Sequence, residues 1–139
     1  MRTIQHWIGG ALTSGASRRT APVWNPATGQ QQAEVLLAEA SDVDTAVGVA
    51  AKAFEAWSEA SLSKRTSVLF AFRELVNTRL DDLAGIICDE HGKVLSDARG
   101  EVQRGLEVIE FACGIPQLLK GDYSDQVSAG VDSWSTAAT

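Results

Sequence analysis

The side chains in this sequence that could do chemistry are one arginine, two thiols and two imidazoles. Arg104 stands in the run GEVQRGLE, residues 100–107. A guanidinium offers two parallel N–H donors to a carboxylate, and Gly105 beside it leaves room for a small acid to approach. Glu101 and Glu107 also lie three residues away on either side. A helix salt bridge to one of them, contributing ~0.2–0.5 kcal/mol, is the plainer reading of the spacing alone. Cys88 and Cys113 show neither a metal-ligand spacing nor a Cys-x-x-Cys pattern. Each falls on the apolar side of a predicted helix and reads as a small buried hydrophobe rather than a nucleophile. His91 reads as a cation capping a helix C-terminus, and His6 as a lone structural histidine in a strand. These residues give no catalytic constellation and no metal site.

The element that positions Arg104 is the stretch from His91 to Gly121, which predicts one long amphipathic helix. Leu95, Ala98, Val102, Leu106, Ile109 and Cys113 recur with the 3.6-residue period of a single face. Asp97, Glu101, Arg104 and Glu107 lie off that stripe. Gly100, Gly105 and Gly114 interrupt it, each costing about 1 kcal/mol against alanine in a helix interior. Such glycines suggest that another backbone or a ligand approaches this surface. Pro116 is expected to kink or end the helix.

Three helices precede it. Ser41, with Asp44 three residues on, predicts the start of the first, whose face is Val43, Ala46, Val47, Ala50, Phe54 and Trp57. Ser63 predicts the cap of the second, with Val68, Leu69, Phe72, Leu75, Val76 and Leu80 as its stripe. Asp81-Asp82 predict the start of a third, carrying Leu83, Ile86 and Ile87 and stopping at Gly92. Before these, alternation at Ile4, His6 and Ile8 predicts a strand, and Gly9-Gly10 a hairpin turn into Ala11-Leu12. Thr13 to Thr20 reads as loop, Val23-Trp24 as strand, Asn25 to Gly29 as turn and Gln30 to Leu37 as return strand. After the helices, Gly121 to Thr139 reads as an extended polar arm.

A length of 139 residues suits one domain, and 45% hydrophobic with 22% charged residues is a globular composition. A net charge of −6, with basic residues no more clustered than Arg18-Arg19 and Lys64-Arg65, argues against a nucleic-acid partner. No apolar run reaches the length of a membrane span, and the start lacks a signal-peptide layout. The expected location is cytoplasmic.

The run HGKVLSDARGEVQRGLEVIEFACGIP resembles the corresponding segment of the aldehyde dehydrogenase superfamily, and in detail its CoA-acylating methylmalonate-semialdehyde dehydrogenases. The likeness extends from the early IGG through NPATG to VDSWST. It implies an α/β fold, the N-terminal part of the family's cofactor-binding domain. That part comprises β-hairpin strands and turns over 1–38, four helices over 39–120 and an oligomerisation arm over 121–139, without most of the parallel sheet. The resemblance places Arg104 at the position of an arginine that binds the substrate carboxylate, and with it that role takes precedence over the salt bridge. Arg99 matches a family motif too, but structural pairing remains its first reading.

The implied reaction oxidises methylmalonate or malonate semialdehyde with NAD through a cysteine thiolate. The thioester is passed to coenzyme A, giving acyl-CoA, carbon dioxide or bicarbonate, and NADH. The family's nucleophile comes far later in the sequence, and GxGxxG does not occur here. The resemblance departs at Ala137-Ala138-Thr139. The expectation is therefore an N-terminal piece of a longer enzyme, inactive by itself and binding neither NAD nor coenzyme A. Apolar stripes left bare would forfeit about 1.5–3 kcal/mol per large side chain, so self-association or a homo-oligomer is expected. Two alternatives stand beside this: an interaction module pairing with full-length subunits through Asp122–Ser135, or a dehydrogenase of another short semialdehyde.

Overall fold

The computed structural model describes residues 1–136, so Ala137-Ala138-Thr139 lie outside the described residues. Among the described residues seven short strands and five helices follow one another as β1 (Arg2–Ile4), β2 (His6–Ile8), β3 (Ala11–Thr13), β4 (Thr20–Asn25), β5 (Gln30–Leu36), α1 (Ala40–Ser58), α2 (Leu62–Thr78), α3 (Leu80–His91), α4 (Leu95–Cys113), α5 (Ile115–Leu118), β6 (Tyr123–Ser128) and β7 (Val131–Trp134).

The strands form three small sheets. β4 and β5 are an antiparallel pair joined by the predicted Asn25–Gly29 turn, where Asn25 Oδ1 accepts from the Ala27 amide at 2.9 Å. β1 adds to the far edge of β5 in parallel, with Ile4 opposite Val35. This is the one parallel pairing among the described residues. Ala33, at the centre of β5, is fully buried. The single strand predicted from Ile4 to Ile8 is divided at Gln5. β1 joins β5, whereas β2 folds onto β3 through Gly9-Gly10, with Ile8 opposite Ala11. The alternation is continuous in the sequence, but the two halves pair with different partners.

Helix starts differ from the prediction in two places. α1 is capped at Glu39 rather than Ser41, and the reciprocal partner is Asp42, not Asp44. The Glu39 amide donates to Asp42 Oδ2 at 2.9 Å, and the Ala16 amide donates to Oδ1 at 2.7 Å. Asp42 thus ties a loop to the helix, and that distant donor decides between the candidate caps. Those two amides hold its carboxyl below the ordinary value, the Glu39 bond first. α2 is capped by Ser61 rather than Ser63: Ser61 Oγ accepts from the Lys64 amide at 3.2 Å, and Ser63 lies inside the first turn.

The predicted continuous helix from His91 to Gly121 is three pieces. Gly92 closes α3 in the left-handed conformation at φ 79°, and its amide donates to the Cys88 carbonyl. Val94 is extended, so α4 begins afresh at Leu95. Gly114 separates α4 from the single turn of α5, whose first turn contains Pro116.

The core sits where α4 crosses α3 and α2. Ala84, Ala98 and Val102 are its buried centre, packed by Val76, Leu80, Ile87 and Cys88. Leu106 and Cys113 continue the buried face of α4, while Leu95, predicted on the same stripe, is half exposed. The apolar stripe of α1 is bare at Val43, Val47, Phe54 and Trp57, and α2 is bare at Val68, Phe72 and Leu75.

The predicted extended arm is a β-hairpin. β6 and β7 pair antiparallel about a turn at Ala129-Gly130, with Tyr123 and Trp134 rings 5.4 Å apart. Every residue of both strands is exposed. The hairpin closes at its base because Gly121 has no side chain. A Cβ there would overlap the Ser135 carbonyl oxygen.

Candidate functional site

α4 has a buried face and an outer face, and Arg104 is on the outer one. Ala98, Val102 and Leu106 turn into the core, which sends Arg104 to the opposite side of the helix, where it is exposed. Helical side chains lean toward the N-terminus. Accordingly the Arg104 guanidinium lies back over the preceding turn: a Cβ placed on Gly100 would be 3.7 Å from its Nη1. The space beside Gly105 is open. One and two turns further on, the same face presents the exposed side chains of Val108 and Phe111.

The salt bridge suggested by spacing is not formed. Among the described residues Arg104 has no ion pair. Glu101 instead pairs with Lys93, which lies in the short link between α3 and α4. The Lys93 hydrogen bond is the main reason the Glu101 carboxyl sits below its ordinary value, with the charges of Lys93, Arg104 and His91 adding to it. Arg104, three positions along the same helix from Glu101, is unpartnered among the described residues. A free guanidinium with open space at the neighbouring glycine can clasp the carboxylate of a small aliphatic acid.

The other candidates fall into structural places. Arg99 donates to Asp81 Oδ1 at 2.6 Å, pinning α4 to α3, which is the pairing expected for it. That bond raises the Arg99 value and lowers that of Asp81. Cys88 packs against the core cluster, and Cys113 is buried. Beyond Cys113 lies an open groove of about 470 Å³ between α2 and the α4–α5 junction, lined also by Ser63, Thr66, Phe70 and Gln117. His91 occupies the last turn of α3 and is exposed. His6 Nε2 is buried in β2 without a partner.

Lys93 is the residue that spacing did not single out. It lies eight positions before Glu101, across a break in the helix, where no i,i+4 rule reaches. Among the described residues no three His, Cys, Asp or Glu side chains gather as a metal site. None of the described helices is long and apolar enough to cross a membrane.

Comparison with known proteins places this arrangement. A model of the aldehyde dehydrogenase family matches residues 12–137. The malonate-semialdehyde dehydrogenase of Pseudomonas aeruginosa is 39% identical over 135 residues, 97% of this chain and 27% of that protein. The crystal structure of methylmalonate-semialdehyde dehydrogenase from Oceanimonas doudoroffii superposes with a TM-score of 0.89 at 43% identity, covering 98% of this chain and 28% of that one. An NAD-dependent aldehyde dehydrogenase from Sinorhizobium meliloti gives a TM-score of 0.80 at 28% identity, over 93% of this chain and 26% of the other. The chain thus spans little more than a quarter of the length of these relatives.

Proposed function

The chain belongs to the aldehyde dehydrogenase family, and on that premise we propose that it supplies the substrate-carboxylate side of a semialdehyde dehydrogenase. The complete reaction is the oxidation of malonate or methylmalonate semialdehyde with NAD and coenzyme A to acyl-CoA, carbon dioxide or bicarbonate, and NADH, in the cytoplasm. The observation that carries the reading is the unpartnered guanidinium of Arg104 on an open, partly apolar helix face. A guanidinium keeps its charge throughout the working pH range, so its part is to bind and orient rather than to move a proton. Names of relatives favour the same substrate class.

On this reading the described residues hold neither NAD nor coenzyme A. A dinucleotide needs a glycine-rich turn between a strand and a helix, so that amides can approach the phosphates. The link from β5 to α1 is Leu37-Ala38-Glu39, without glycine and with a carboxylate. The thiol of Cys113 is buried, and Cys88 is partly buried against the core cluster. By this reading the 139 residues alone bind no NAD and do not turn over. No residue here is assigned to either cofactor.

The test is a chimera in which this chain replaces the matching segment of the Pseudomonas aeruginosa relative. Arg104→Ala should lower kcat/KM for malonate semialdehyde about 10- to 100-fold, the range of a hydrogen-bonded charged contact, and leave propanal nearly unchanged. Equal losses on both aldehydes would remove the carboxylate role, and a different short semialdehyde would then be the better substrate.

A second reading has its own observation. A lone two-stranded hairpin is marginal in water, yet β6–β7 exposes both edges together with Tyr123 and Trp134. Such a hairpin suits strand pairing with a second subunit, as a homo-oligomer arm or as a module that joins full-length subunits. Co-purification with a tagged full-length relative that is lost on deleting 122–135 would support it.

A further inference from the structure

We propose that Lys93 is a positioning residue for Arg104: by engaging Glu101 it prevents an internal salt bridge and leaves the guanidinium open to an incoming carboxylate. The inference rests on the carboxylate-binding reading of Arg104 and adds a device that keeps that site vacant.

Two glutamates are within helical reach of Arg104. Glu107 lies on the C-terminal side, away from the direction in which the side chain leans. Glu101 lies on the N-terminal side, in the turn over which the guanidinium rests, as the 3.7 Å approach to Gly100 shows. Helix geometry alone would pair Arg104 with Glu101. One oxygen of that carboxylate, Oε1, is instead held by the Lys93 ammonium. Three positions apart on one helix, with the guanidinium lying over the turn that carries Glu101, the two groups are neighbours.

Lys93 can compete because its own place is fixed. Its side chain is 21% exposed, against 41% for Glu101, so it is the less mobile member of the pair. The residue before it, Gly92, turns at φ 79° against the Asn25–Gly29 turn, where an added Cβ would meet Pro26 Cγ at 3.1 Å. The residue after it, Val94, is the extended N-cap of α4. The link between α3 and α4 therefore presents the ammonium from outside the helix that carries Glu101. A lysine on α4 itself would compete from a flexible stem, whereas this one is set by tertiary contacts. Lysine also suits the task, being a compact point charge that satisfies one carboxylate without reaching on to a second.

The first test uses NMR of the chain itself, following the Arg104 Nε–Hε signal, identified by its loss in Arg104→Ala. Lys93→Met should shift that signal and slow its exchange with water as Glu101 swings onto Arg104. Lys93→Met with Glu101→Gln should return it toward the parent position, and Lys93→Arg should leave it in place. In the chimera, Lys93→Met should raise KM for malonate semialdehyde about two- to fivefold, the reach of a competing surface-type ion pair, with kcat and propanal turnover unchanged. The double variant should restore KM. An Arg104 signal identical in the parent and Lys93→Met, or a double variant that stays shifted, would overturn the proposal. So would a KM change shared equally by malonate semialdehyde and propanal. If Arg104→Ala discriminates the two aldehydes but Lys93→Met has no effect, the positioning role alone falls. If Arg104→Ala fails to discriminate, the carboxylate reading falls first and takes the functional role of Lys93 with it.

Discussion

α1 and α4 are both 19-residue helices with one apolar stripe, and they end in opposite situations. α4 lies across α3 and α2 and buries Ala98, Val102, Leu106 and Cys113. α1 makes sparse contact with the rest of the chain; its one buried residue is a carboxylate, Asp42, and Phe54 is 64% exposed. Periodicity in a sequence says that a helix has a face for burial. It does not say whether a surface is present to receive that face. The functional consequence differs too. Because α4 is packed on its inner side, its outer side can serve as the scaffold that the proposed role of Arg104 requires.

That contrast can be broken most forcefully at Leu106, which is 2% exposed. Leu106→Ala should lower the free energy of unfolding by about 2–5 kcal/mol in urea titrations. Phe54→Ala on the bare face of α1 should stay within about 0.5 kcal/mol of the parent. A loss at Phe54 as large as that at Leu106 would mean that α1 is packed in solution.

A smaller effect sharpens the one firm attachment of α1. Asp42 has a folded-state value below its ordinary 3.8, held there by the amides of Glu39 and Ala16. The stability it contributes is therefore fully present above 3.8 and is lost as pH falls through the lowered folded value. The stability difference between the parent and Asp42→Asn should be flat from about pH 7 to about pH 5 and shrink below that range. A difference that grew on acidification would have the wrong sign for this clasp. The smallest effect on stability should come from Val47→Ser with Phe54→Ser. This pair should leave the urea midpoint in place while lowering the apparent mass in light scattering, because it removes a sticky face rather than a core.

Features set within a few residues were legible in the sequence: the Gly9-Gly10 and Asn25–Gly29 turns, the Gly92 stop, and the inner stripe of α4 from Ala98 to Cys113. Their causes are local backbone conformation and helical period. What needed distant partners was not legible. The strand drawn from Ile4 to Ile8 divides because β1 pairs with β5, some thirty positions later. Glu39 takes the cap from Ser41 because Ala16 reaches Asp42 from another loop. The helix drawn from His91 to Gly121 breaks at both ends, although Gly92, Gly114 and Pro116 were visible signals for it. At the candidate site, spacing identified Arg104 but offered it a glutamate as partner. The lysine that takes that glutamate comes from across a helix break, in a link where Gly92 turns against Pro26 and Val94 is extended.

The central claim is that this chain carries the carboxylate-binding side of a dehydrogenase and not its dinucleotide side. Calorimetric titration of the purified chain with NAD, with its mass read by light scattering in the same buffer, tests it most directly. The account predicts no saturable heat and a self-associated species. Saturable one-site binding of NAD by a discrete species would contradict it.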